Sequence, residues 1–285
     1  MANLKEIRNR IASVSSTMQI TSAMKMVSAA KLKKAQDAIT AMRPYSDTLT
    51  DLLQSLSGSI ESSDASKYAA VRGEDKILLV AITSNRGLCG AFNTNVIKQA
   101  QSLAKGAYAG KAVSVMAVGK KSADILGKDF PLLSNESAIY EDLTFANVSE
   151  IADRLMEDFA TEKFDKIVLI YNKFKNAATQ IVTTEQFLPI VPVVGAAAES
   201  DYIFEPGKAE IVSELVPKAL KTQLFKGIRD SFASEHGARM TAMHKATDNA
   251  TDLRDQLKLT YNKARQAAIT NEILEIVGGA EALND

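Results

Sequence analysis

The residues best suited by type to do chemistry sit in one loop, SNRGLCGAFN at residues 84–93, and in one long C-terminal stretch, residues 234–283. Glycines that follow a first buried strand often cradle phosphate with their backbone N–H groups. Here the loop offers Gly87 and Gly90 as a lone G-x-x-G, not G-x-G-x-x-G, and Gly119-Lys120-Lys121-Ser122 lacks the earlier glycine of a phosphate-binding loop. The spacing favours a tight turn that needs glycine over a nucleotide cradle. Cys89 is the only cysteine, and a thiol nucleophile needs a base beside it. The only histidines, His236 and His244, both fall on the C-terminal stretch, and their i,i+8 spacing does not match the i,i+4 pair of a helical metal site. Cys89 therefore reads as a small buried residue and the histidines as helix surface. On the residues alone, Arg239, Met240 and Arg265–Gln266 read as an exposed helix face, and Met18, Met24, Met26, Met240 and Met243 as coiled-coil filling. No catalytic residue, cofactor or metal ligand is expected.

The elements that must position these residues can be read from periodicity. Residues 4–56 repeat in heptads: one row is Leu4, Ile11, Met18, Lys25, Leu32, Ile39, Ser46, Leu53, the other Ile7, Val14, Thr21, Ser28, Ala35, Met42, Leu49, Leu56. Twelve of these sixteen positions are apolar, which predicts a coiled coil. The polar cluster Thr21, Lys25 and Ser28 predicts either a register device or a contact with something other than the partner helix, and there the apolar residues move to Ile20, Met24, Met26 and Val27. Pro44 is expected to kink or break the helix near Arg43. Residues 55–66 (SLSGSIESSDAS) read as a linker. Residues 76–83 (KILLVAIT), 113–118 and 166–172 read as buried parallel strands, with helices over 94–105, 120–126 and 148–161 and an edge strand over 180–185. From residue 208 the pattern is helical to the end. Ala238, Ala242, Ala246 and Ala250 recur every fourth residue, a row that lets a second helix approach closely and that continues as Leu253, Leu257 and Tyr261.

The fold class is therefore α/β: a long antiparallel coiled coil of N- and C-terminal helices plus a central Rossmann-like α/β domain. The expected division is 1–57 for the first helix, 58–75 for the linker, 76–207 for the α/β domain and 208–285 for the second helix. At a rise of about 1.5 Å per residue, residues 4–57 span roughly 80 Å and 208–283 roughly 110 Å. Paired from residues 57 and 210, the helices place Leu4 level with Lys263 and leave residues 264–285 as an overhang of roughly 30 Å. That overhang carries Ile269, Ile273, Leu274, Ile276, Val277 and Leu283 around more than one face, so it calls for a sheath of other subunits.

Composition bounds the rest. The chain has 285 residues and a formal net charge of zero, but residues 1–45 carry eight cations against Glu6 and Asp37, and residues 46–207 carry 15 cations against 21 anions. A basic arm suggests an acidic partner surface, or a solvated helix face. A lone cysteine implies no internal disulfide and a reducing compartment. There is no run of 18 apolar residues and no signal-like apolar core at the start, so no membrane insertion is expected.

Three blocks, ITSAMKMVSAAKLKKAQ at 20–36, TSNRGLCGAFN at 83–93 and the C-terminal ARM…AM…AT-N…YNKARQAAITNEILEI, resemble in order the gamma subunit of the rotary ATP synthase, bacterial type. The resemblance covers the whole chain. It implies a non-catalytic central rotor that couples c-ring rotation, driven by proton or sodium flow, to ATP synthesis or hydrolysis in an alpha3–beta3 hexamer. It further implies contacts to the beta subunit by Met24, Arg239, Arg265, Gln266, Thr270 and Glu272, with Lys31, Lys33, Lys34 and Arg43 suited to an acidic lever. Foot contacts to the c ring and epsilon subunit are implied for Tyr202, Glu205, Arg86 and Cys89. The implied location is peripheral, on the cytoplasmic face of the membrane. Asn85 and Ala91 depart from the Asp and Gly common at their positions, and the inserted cysteine pair of plant-type members is absent. The alternatives are a nucleotide-binding α/β protein with a coiled-coil oligomerisation arm, and a nucleic-acid-binding scaffold, which the charge balance of residues 208–285 (eleven of each sign) disfavours.

Overall fold

The computed structural model describes residues 4–55, 66–190, 205 and 207–281. Its elements are α1 (Leu4–Ser55), α2 (Ser66–Ala69), β1 (Lys76–Ile82), α3 (Phe92–Lys105), β2 (Ala112–Val118), α4 (Lys120–Asp129), β3 (Leu132–Asn135), a 3-10 turn (Ser137–Tyr140), α5 (Phe145–Ala160), β4 (Lys166–Phe174), β5 (Gln180–Leu188) and α6 (Lys208–Glu281). The chain divides into two compact units, Met1–Val27 with Met240–Asp285, and Ser28–Arg239. Both long helices contribute to both units. Among the described residues no helix is long and apolar enough to cross a membrane.

In the first unit the start of α1 pairs antiparallel with the end of α6. Arg8 Nη2 donates to the Tyr261 hydroxyl at 2.8 Å, Thr251 Oγ1 meets Met18 Sδ at 3.3 Å, and the hydroxyls of Thr21 and Thr247 lie 2.8 Å apart. Lys25 Nζ sits 3.4 Å from His244 Nδ1, whose ring also faces Asp248 at 3.3 Å. Two members of the polar cluster of the α1 seam, Thr21 and Lys25, are thus met by polar residues of the partner helix, as a register device would be. Two expectations are corrected here. The α6 seam does not continue through Leu253, which is 47% exposed; it passes from Met243 and Ala250 to Arg254, Leu257 and Tyr261. From Met243 the seam keeps alternating steps, Thr247, Ala250, Arg254, Leu257 and Tyr261, so the position after Ala250 is reached by a step of four, not three. Met26 likewise stands outside the seam at 64% exposure, beside exposed Ile20 and Val27.

In the second unit α1 runs on through Pro44 without interruption. Proline removes one helical hydrogen bond, but Pro44 and Thr40, whose carbonyl loses it, are both exposed to water, while Ile39, Ser46 and Leu49 stay buried on the seam. The sheet has the order β3-β2-β1-β4-β5, parallel except for the β4–β5 pair. β1 is buried on both faces, as its unbroken apolar run requires. Leu78, Val80 and Ile82 face α5 and the α6 row Val212, Val216, Leu220, Leu224 and Ile228. Ile77, Leu79 and Ala81 face Val96, Ile97 and Ala100 of α3. β3 is the strand that periodicity did not predict: four residues after Pro131, with Leu132 40% exposed.

Candidate functional site

In an open α/β sheet, ligands enter at the carboxyl ends of the strands where the strand order reverses. Here that point lies between β1 and β4, and the SNRGLCG loop comes directly after β1. Several of its polar groups are bound within the chain. Ser84 N donates to Asn93 Oδ1 at 2.9 Å, and Asn93 Nδ2 donates to Ser84 Oγ at 2.8 Å and to Cys89 Sγ at 3.2 Å. At the opening of α4, the helix after β2, Lys120 N donates to Asn85 Oδ1 at 3.0 Å and Ser122 N to Thr83 Oγ1 at 2.9 Å, which ties the two loops together. Tyr140 donates its hydroxyl to Thr83 O at 2.8 Å, and Ser234 of α6 donates to Asn172 O, at the end of β4, at 2.9 Å.

The loop is held on α6 by Arg239. Its Nη2 donates to the carbonyls of Arg86 and Gly87 at 3.1 and 3.2 Å, and its Nη1 to Glu235 Oε1 at 2.6 Å. Arg239 is 7% exposed, Glu235 7% and His236 5%. This corrects two expectations: Arg239 is not on an exposed face, and His236 is not helix surface. Both are enclosed because a loop some 150 residues away in sequence packs over them. On the same turn of α6, Gly237 lets the segment between β4 and β5 come close: a Cβ there would stand 3.2 Å from Ala177 Cα. Burial holds the Glu235 carboxyl above its usual range, against the pull of Arg239, Lys31 and Arg86. Burial pushes the His236 imidazole down to about 4, and the Arg239 and Lys31 cations push the same way.

The other residues named from sequence are spread over both long helices and the loop. Cys89 is 1% exposed and its thiol is pushed up by burial, so its side chain is not available as a surface contact; Arg86 and Leu88 are exposed in that loop, as are Gly87, Gly90 and Ala91. Lys31, Lys33 and Lys34 are exposed on α1, and Lys31 lies close enough to Glu235 and His236 to act on both. Met24 is half-buried, and Arg265, Gln266, Thr270 and Glu272 are all exposed on α6. Glu205 is exposed; Tyr202 lies outside the described residues. The end of α6 keeps Ile269, Ile273, Leu274, Ile276 and Val277 at 48–65% exposure. The sequence reading missed Glu235, although its i,i+4 spacing to Arg239 is a legible ion-pair signal.

A family profile described as ATP synthase matches residues 3–283. The ATP synthase gamma chain of Flavobacterium johnsoniae is 70% identical over 286 residues, covering 100% of both chains. That of Flavobacterium psychrophilum is 68% identical over 99% of each. Among solved structures, a chain of the Euglena gracilis mitochondrial ATP synthase (OSCP/F1/c-ring, rotational state 3) superposes with a TM-score of 0.71 over 98% of this chain and 94% of its own, at 23% identity, a likeness of fold. By the profile and by these relatives, the chain belongs to the ATP synthase gamma chain family.

Proposed function

We propose that this chain is the rotor shaft of an ATP synthase and performs no catalysis itself: it carries c-ring rotation, driven by proton or sodium flow, into an alpha3–beta3 hexamer that makes or hydrolyses ATP. The observation that carries this reading is the end of α6. Residues 271–280 are exposed throughout, yet Ile273, Leu274, Ile276 and Val277 are large and apolar and lie on more than one face. Such a helix is stable in water only when sheathed. Arg265, Gln266, Thr270 and Glu272 stand along this segment as the polar contacts to the beta subunits. Met24 with exposed Ile20, Met26 and Val27, and the cations Lys31, Lys33 and Lys34, supply further contacts. Arg86 and Glu205, together with Tyr202, are foot contacts to the c ring and the epsilon subunit, which puts the chain at the cytoplasmic face of the membrane as a peripheral subunit. An asymmetric shaft presents a different face to each beta subunit, and rotation changes nucleotide affinity through these differential contacts.

Limited trypsin digestion tests the reading. Free protein is expected to be cut readily after Lys263 or Arg265, and assembly with the alpha and beta subunits is expected to protect both bonds. Equal cleavage in the two states would mean that the end of α6 is not sheathed, and the proposal would fail.

A further inference from the structure

We propose that Arg239, Glu235 and His236 form an acid-sensitive latch: neutral His236 keeps Arg239 clamped on the Arg86 and Gly87 carbonyls, and protonation of His236 releases the 84–90 loop and uncovers Cys89. The geometry assigns the tautomer. The guanidinium can only donate, so His236 Nδ1, 3.5 Å from Arg239 Nη1, is the acceptor and Nε2 carries the hydrogen. Nε2 is buried with no hydrogen-bond partner among the described residues, and the ring meets Phe232 edge to face at 4.5 Å. A proton arriving from solvent therefore lands on Nδ1, turns an acceptor into a second donor facing Arg239, and adds a cation to a site nearly closed to water.

The charges around the ring decide how the site responds to that proton. The cations that act on the ring are Arg239 of α6 and Lys31 of α1; Glu235, one residue before it, is acted on by the same two cations and by Arg86 of the loop, and in turn acts on the Cys89 thiol and on the buried Tyr140 hydroxyl of the 3-10 turn. Two cations thus act on the ring and the buried carboxylate is already paired with Arg239, so a charge on the ring has no compensating partner. Because the closed site depresses the imidazole from 6.5 to about 4, closure is fully favoured above the free value and weakens as pH falls through that window. Glu235 acts in the opposite sense: its raised carboxyl pKa favours the closed state on acidification and offsets part of the effect. Replacing His236 alone therefore isolates the latch.

Cys89, the only cysteine, reports the loop directly. The test is pulsed labelling of the full chain with 4,4′-dithiodipyridine at about pH 7.5 and about pH 4.5, each rate normalised to urea-unfolded chain at the same pH, with far-ultraviolet circular dichroism to track the helices. The wild type is expected to label at least about tenfold faster at the lower pH with its helices intact, and His236→Phe to change less than about twofold. Arg239→Gln is expected to label fast at both. An equal acceleration in wild type and His236→Phe, no acceleration in wild type, or full protection in Arg239→Gln at pH 7.5 would each overturn the proposal. If His236→Phe does not fold, His236→Asn, neutral at every pH used, takes its place with the same expectations.

Discussion

Gly119 shows how much one residue is constrained by the crossing of two chain segments. It sits between β2 and α4 at φ +119°, and a Cβ there would collide with the Thr83 carbonyl. The same carbonyl accepts from Tyr140, and the same threonine hydroxyl accepts from Ser122 N, so neither side can yield without losing buried hydrogen bonds. Gly119→Ala is expected to destabilise the sheet unit by about 2–4 kcal/mol, read as a fall of several degrees in its melting temperature. An unchanged melt would show that the segment relaxes freely. At this scale the sequence was legible only where partners are near in the chain. Cys89 read correctly as small and buried, whereas Arg239 and His236 read as surface, because the carbonyls of Arg86 and Gly87 that enclose them are invisible to spacing.

At the scale of elements, the α1 heptads were legible because burial follows the heptad along the helix: the described seam positions from Leu4 to Leu49 are all buried or half-buried. The strands that run through the sheet centre were legible for the same reason, while β3, a short edge strand, has too little burial to mark its composition. Pro44 does not end the helix, because its cost depends on whether the freed carbonyl can reach water, which propensity does not record. The polar step in the first unit offers a test of what such residues contribute. Thr21 and Thr247 share one hydrogen bond across the seam, and each also lies within reach of a carbonyl of its own helix, Met18 and Met243. Thr21→Val and Thr247→Val are each expected to cost about 1 kcal/mol by leaving the other hydroxyl short of a partner, and the double variant to cost less than the sum by about 0.5 kcal/mol or more. Strict additivity in urea melts would mean that the two hydroxyls do not interact.

For the molecule as a whole, the question is whether a sheet with dinucleotide-binding topology still binds nucleotide. Two features of this chain oppose it. The loop after β1 lacks the glycine spacing that lets a backbone approach pyrophosphate. The polar groups around that loop are engaged with one another: Ser84 N with Asn93, Lys120 N with Asn85 and Ser122 N with Thr83. A third consideration is helix α6, whose Arg239 occupies the loop carbonyls and whose Ser234 caps the end of β4, so a ligand would have to displace bonds that are buried and satisfied. Phosphate binding would also place an anion beside Glu235. The full chain is the right specimen, since Val212, Val216, Leu220, Leu224 and Ile228 of α6 complete the same core as β1 and α5, and an excised sheet would expose that face. Isothermal titration of the full chain with ATP and with NAD is expected to give no saturable heat up to about 1 mM. Saturable micromolar binding would mean that the crevice opens, and would favour the nucleotide-binding reading of the α/β unit over a purely mechanical one.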